Sequence, residues 1–300
     1  MMTEEELLNE LRAVAAEQRD GLALYALLDS AIYAGATMDE SGKRYGNLAS
    51  VLADAKPESL FIYAFDDERT DASPLLVSIR DFDGELAKRI ATLALEYQLA
   101  SWIWSPLSAP ALARHLAAFI RAKFGDAAAM LRPYDPRVME DTIACLDPGR
   151  QAALWAPVCA WAYFDEDRVV KRLRPPDGPV AERVTAPLVL DDDEQKRFEA
   201  LANRIALGGY IETHAPSLVE SLPPAQRKAF YEEQIEIGER LKKESMGDLF
   251  IIAALSGAYG ARWIEAEAIA PLVQSVVSGT ATLSAVALEI GERLERLSRS

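Results

Sequence analysis

The sequence predicts an α/β first lobe, a mixed sheet with packed helices, followed by an all-α second lobe. Three observations predict it. Apolar runs of strand length alternate with segments of helical spacing through the first part of the chain. A proline- and glycine-dense stretch, Arg174 to Pro179, then reads as a linker. From Asp191 onward only helical spacing recurs. The expected lobes are residues 1–180 and 181–300.

Thr3 to Gln18 carries Leu7, Leu8, Leu11, Val14 and Ala15 at helical spacing, and Thr3 with Glu6 forms a capping-box pattern. Leu22 to Leu28 reads as a strand between Gly21 and Asp29. Leu60 to Phe65 is rich in β-favouring side chains and reads as a buried strand ending at Asp66-Asp67. Leu75 to Ile79, after Pro74, reads as another. Phe82 to Leu99 fits a helix through Leu86, Ile90, Leu93, Ala94 and Tyr97. Ser101 to Trp104 reads as a short aromatic strand, then Ser108 to Phe124 as a helix with Leu112, His115, Leu116, Phe119 and Ile120 on one face. Ala128 to Arg132 reads as a strand and Pro136 to Leu146 as a short helix with proline in its first turn. Val158 to Phe164 and Arg168 to Leu173 read as strands paired across an acidic turn.

The second lobe is expected to hold about five helices: Asp191 to Leu207, Pro224 to Lys243, Gly247 to Tyr259, Ile264 to Val277 and Leu283 to Leu297. Asp191, Asp192 and Asp193 suit a helix N-terminus, where carboxylates meet unpaired amides. Gln234, Glu239 and Glu244 are expected on solvated faces with Lys242 and Lys243.

Composition narrows the function classes. The chain has 300 residues, half of them hydrophobic, and a formal net charge of -15. A polyanion repels phosphates, and the only basic cluster, Arg168, Lys171, Arg172 and Arg174, is balanced by Asp165, Glu166 and Asp167. No nucleic-acid partner is expected. The acidic N-terminus lacks a signal-peptide pattern, and Leu249 to Leu255 falls short of the roughly 20 residues a membrane span needs. A cytoplasmic protein without membrane insertion is the expectation. Cys145 and Cys159 lie among apolar residues and read as buried reduced thiols, with a disulfide as the alternative.

Catalytic motifs do not emerge. Neither Gly-x-Ser-x-Gly, a phosphate-cradling Gly-x-x-x-x-Gly-Lys loop, nor Gly-x-Gly-x-x-Gly occurs. His115 sits on an otherwise apolar helical face and reads as a structural histidine with a satisfied ring. His214 reads as a helix-end residue. The acid runs Asp66-Asp67, Asp165 to Asp167 and Asp191 to Glu194 read as solvated turns and helix starts. No catalytic, metal or cofactor residues are assigned. Trp102 and Trp104 alternate, so a strand places them on one face. Core packing is the leading reading, with anchoring of a partner as the alternative.

One segment is unusual. Arg132-Pro133-Tyr134-Asp135-Pro136-Arg137-Val138 crowds two arginines, a tyrosine and an aspartate around two prolines. The prolines restrict the backbone, and Asp135 suits both helix-start amides and an arginine fork. A structural staple is the leading reading, with effector binding or catalysis the alternatives.

The ordered set Tyr25-Ala26-Leu27-Leu28-Asp29, Ser59-Leu60-Phe61, Pro74-Leu75-Leu76-Val77, Trp102 to Ser105, His115-Leu116, Arg132 to Val138, Ala156-Pro157-Val158 and Trp161 resembles domain-of-unknown-function family 4123. That family comprises adaptors of type VI secretion cargo. The resemblance spans about residues 22 to 164. It implies a cytoplasmic chaperone that binds a toxic effector and helps load it onto the secreted spike, with no catalytic site and no cofactor. Its signature positions here are Arg132, Tyr134, Asp135, Pro136 and Arg137. The first lobe would be the common platform and the helical lobe would tune which effector is held. Two alternatives stand beside it: an immunity-type protein that neutralises a toxin, and a hydrolase built from Asp135, Arg132, Arg137 and His115.

Overall fold

The computed structural model describes residues 2–38, 46–66, 72–165, 167–175 and 184–299. The linker expected at Arg174 to Pro179 falls mainly outside them, as do Asp67 and Glu166. The chain divides into two compact units, Met1–Phe198 and Glu199–Ser300.

The first unit opens with α1 (Glu4–Ala16), whose capping box forms as expected: the Thr3 hydroxyl accepts from the Glu6 amide and the Glu6 carboxylate accepts from the Thr3 amide. Then come β1 (Ala23–Leu28), α2 (Ser30–Ala36), α3 (Leu48–Val51), β2 (Glu58–Ser59), α4 (Leu60–Phe65), β3 (Leu75–Ile79), α5 (Glu85–Tyr97), β4 (Ala100–Ser105) and α6 (Ala109–Ala117). The unit continues with β5 (Arg121–Phe124), β6 (Ala127–Met130), α7 (Met139–Cys145), α8 (Pro148–Trp155), β7 (Ala160–Phe164), β8 (Val170–Leu173) and β9 (Leu188–Val189).

Six strands form one sheet in the order β2-β3-β1-β4-β7-β8. Every pairing in it is antiparallel. The α/β class therefore holds, but the only parallel pair among the described residues, β5 with β9, lies in a separate small sheet ordered β6-β5-β9. Both faces of the large sheet are covered. Leu24, Ala26, Leu28, Val77, Trp102, Trp104 and Phe164 pack against Leu7, Leu11 and Val14 of α1 and Ile90 and Ala94 of α5. On the opposite face Leu27, Leu76, Ile103 and Trp161 are buried. There the Trp161 ring meets Trp155 of α8 edge-on at 5.9 Å, and its indole N–H donates to Ser101 Oγ at 2.9 Å. Burial on both faces explains why these strands read as unbroken apolar runs, without polar alternation.

Trp102 and Trp104 share a face, as strand geometry requires, and are 1% and 2% exposed. The alternative that they anchor a partner is corrected: Trp102 packs edge-on against Phe164 at 5.7 Å inside the core.

Two element expectations also change. Leu60 to Phe65 is a helix, not a buried strand. Leu60 and Ala64, four residues apart, face inward, while Ile62 and Phe65 stay exposed. A helix lets a small residue set the burial stripe where a strand would bury alternate aromatics. The helix expected over Ser108 to Phe124 stops at Ala117. The backbone N–H groups of Ala118, Phe119 and Ile120 close it by donating to the carbonyls three residues back, and the chain then extends into β5. Strands β5 and β6 join through the two-residue loop Gly125-Asp126, where Gly125 takes φ +57.

The first unit reaches further than the expected limit at residue 180. Leu188 and Val189 pair with β5, and the Phe198 ring packs against Phe124 at 6.1 Å.

The second unit is helical. Helix α9 (Asp192–His214) starts within the first unit, and α10 (Pro224–Leu241), α11 (Met246–Tyr259), α12 (Ala270–Val277) and α13 (Leu283–Ser298) complete the five expected α-helices. Its core gathers Leu207, Ile211, Ile237, Leu249, Ile252, Trp263 and Ile290. The helix expected from Ile264 begins only at Ala270, with Pro271 in its first turn and short 3-10 segments before it. Proline lacks the N–H that a helix interior needs, so the regular helix starts there. Gln234 is corrected from solvated to fully buried. It lies on the stripe of Tyr231, Gly238 and Leu241, and its amide donates to Phe230 O at 2.9 Å.

Among the described residues no helix is long and apolar enough to cross a membrane. Cys145 is buried and Cys159 half-buried, and the two form no disulfide.

Candidate functional site

The site is built where β1 ends. Its last residues run directly into Asp29, whose backbone N–H donates to Leu99 O at 2.8 Å. Asp29 Oδ1 accepts from the Ala31 amide at 2.9 Å, which caps α2. Its other oxygen, Oδ2, accepts from Arg132 Nη2 at 2.6 Å across 103 positions of sequence. The same Nη2 lies 3.2 Å from Asp135 Oδ2. Arg137 grips Asp135 with a fork, Nε to Oδ1 and Nη2 to Oδ2, both at 3.0 Å, and the Arg137 amide also donates to Oδ1 at 3.1 Å. Two carboxylates and two guanidiniums thus form one continuous network.

Burial sets its electrostatics. Asp29 and Asp135 are 0% and 1% exposed, and Tyr134 is buried beside them. Arg132 is half-buried, with its guanidinium 5.9 Å from the centre of the Tyr134 ring. Arg137 is exposed. Desolvation pushes the Asp29 carboxyl up and Arg132 pulls it back, while the nearby Asp135 charge adds to the rise. Burial works against the Arg132 charge, but Asp29 and Asp135 outweigh it and raise its pKa. Desolvation also raises the Tyr134 hydroxyl, with Asp29 assisting. Pro133 and Pro136 are buried and flank the network.

Arg132, Tyr134, Asp135, Pro136 and Arg137, singled out in the sequence, therefore lie together in one place. Asp29 is the member that sequence reasoning missed. The sequence places it at the end of a strand and of the first family motif without a partner, and its signal is an acid directly after a buried apolar run. His115 does not join the network. Its Nε2–H donates to Leu154 O at 2.9 Å, its ring packs on Phe119, and burial lowers its pKa.

A second buried carboxylate was missed outright. Glu194, at the end of the acid run read as solvated, is 0% exposed. It pairs with Arg150 Nη1 and accepts from the amides of Asp147 and Asp191 at 2.9 and 3.0 Å. Asp191 returns the bond, accepting from the Glu194 amide at 2.8 Å. This is a capping box, so the available signal was the three-residue spacing from Asp191 to Glu194. Arg150 also donates to Val189 O at 2.6 Å, and Arg197 to Cys145 O at 2.9 Å. These bonds hold residues 188–198 onto α7 and α8.

In the basic cluster of β8, Lys171 pairs with Asp165 at 3.3 Å and Arg172 with Glu17 at 2.7 Å. Among the described residues there is no group of three or more His, Cys, Asp and Glu side chains placed to hold a metal ion.

No curated protein and no solved structure matches the chain. A family model does, and its match encloses both Asp29 and the Arg132 to Val138 loop. Residues 24–153 match the family described as Domain of unknown function (DUF4123).

Proposed function

We propose that this chain is a cytoplasmic adaptor, with no catalysis of its own, that binds a type VI secretion effector and helps load it onto the secreted spike. The observation that carries this reading is the meeting of two family motifs, Tyr25 to Asp29 and Arg132 to Val138, inside the matched segment. The groups a hydrolase would need are committed to bracing. Both Asp135 oxygens are held by guanidiniums, and His115 is held by the Leu154 carbonyl. A general base must be free to reach a substrate proton. The network reads instead as a brace for a scaffold that grips another polypeptide. The helical unit offers further apolar stripes for a client segment.

The test is co-purification with the products of neighbouring toxin and spike genes. Recovery of an effector and the spike with the full chain supports the adaptor. Clean failure with every neighbouring candidate overturns it. Gene deletion separates the immunity reading: loss of an adaptor stops delivery, whereas loss of an immunity protein kills siblings under attack.

A further inference from the structure

The small sheet β6-β5-β9 has two unlike faces. Ala122 and its parallel partner Leu188 are buried on one side. The register places Arg121 opposite Met130, and Lys123 opposite both Ala128 and Val189, on the other side. Directly paired residues share a face, so these five side chains form one surface. Met130 is 49% exposed and Val189 63% exposed. The surface continues onto α4, because Arg121 Nη1 donates to Ala64 O at 3.1 Å and its guanidinium sits 5.7 Å from the Phe65 ring centre. Phe65 and Ile62 are themselves exposed.

The chemistry of this face departs from the rest of the chain. The net charge is -15, yet the ladder positions of the face hold two cations and no acid. Among the described residues neither Arg121 nor Lys123 forms an ion pair. Many other arginines in the chain have carboxylates. Arginine, phenylalanine and methionine are also the residues enriched at the centres of protein interfaces. Exposed apolar area framed by unpaired cations is complementary to apolar side chains flanked by carboxylates.

We propose that this face docks an acidic, apolar segment of a client polypeptide. The word client rests on the adaptor reading; the chemical preference does not. An anionic membrane is a poorer occupant. Each cation near such a surface contributes only about 1 kcal/mol, and the remaining charge of the chain is repelled.

The test has two arms, both using the full chain. In the first, fluorescence anisotropy follows a labelled synthetic peptide that alternates Asp or Glu with Leu or Phe, against a copy with Lys in place of every acid. The acidic peptide should bind, and Arg121→Glu/Lys123→Glu should weaken it by about tenfold or more. Lys123→Glu alone, at an exposed position, should weaken it to a lesser degree while leaving the melting temperature unchanged. No binding of the acidic peptide, equal binding of the lysine copy, or undiminished binding by both variants overturns the proposal. Tighter binding to vesicles of anionic lipid than to the acidic peptide also overturns it. In the second arm, the variants are co-purified with the neighbouring effector. Capture by wild type and loss in the variants supports the proposal. Equal capture by all sinks this face but leaves the adaptor. Capture by none, with peptide binding intact, sinks the adaptor but leaves the face.

Discussion

Two ionic sites in the first unit each bury a carboxylate and satisfy it by different means. The Arg132 to Arg137 loop was singled out, because prolines, arginines and an acid crowd together there. The Asp191 to Glu194 run was passed over as a solvated helix start. Both turned out to centre on a fully buried carboxylate. The difference lies in what surrounds each acid. Asp29 and Asp135 share one guanidinium and accept one backbone amide each, whereas Glu194 combines a guanidinium with two backbone amides. Crowded unlike charges reveal themselves in composition. An acid satisfied mostly by amides does not, because every residue except proline carries an amide.

The comparison breaks most visibly at Arg132. Arg132→Ala leaves Asp29 without its ion partner and weakens the hold on Asp135, so the expected loss is roughly 3–5 kcal/mol. Chemical denaturation of the purified variant measures it. A loss within error of zero would mean that the network does not brace the fold.

Glu194→Gln keeps the shape but removes the charge that Arg150 and two amides share. The expected cost is about 2 kcal/mol, smaller because the remaining carbonyl still accepts. Hydrogen exchange should show faster opening over residues 188–198, which this carboxylate fastens to α8. Unchanged protection there would detach Glu194 from that role.

Arg137→Ala should cost about 1 kcal/mol or less. Its side chain is half exposed, and Asp135 retains Arg132. A cost equal to that of Arg132→Ala would show that the two arginines act as one unit.

The smallest effect is a slope against pH. Burial raises the Asp29 pKa, so the folded state holds this proton to a higher pH than the unfolded chain does. Stability from this group is present below the unfolded carboxyl value, near 4, and is lost as pH rises through the folded value. Wild type should therefore lose ground to Asp29→Asn as the pH rises above about 4 in paired thermal melts. A constant difference would contradict the assigned direction.

The sequence by itself determined which segments are apolar, where α1 and α9 begin, and which residues crowd around Tyr134. Those are local properties: the Thr3 capping box, the Asp191 helix start and the proline-bounded loop depend on neighbours a few positions away. It also carried the family motifs. Only the tertiary structure decided that the large sheet is antiparallel, that Leu60 to Phe65 coils and Arg121 to Phe124 extends, and that Asp29 meets Arg132. Those outcomes depend on partners far along the chain, where packing outweighs intrinsic preference. The same holds for burial. Trp102, Gln234 and Glu194 have ordinary sequence neighbours, and only the elements folded over them remove their water.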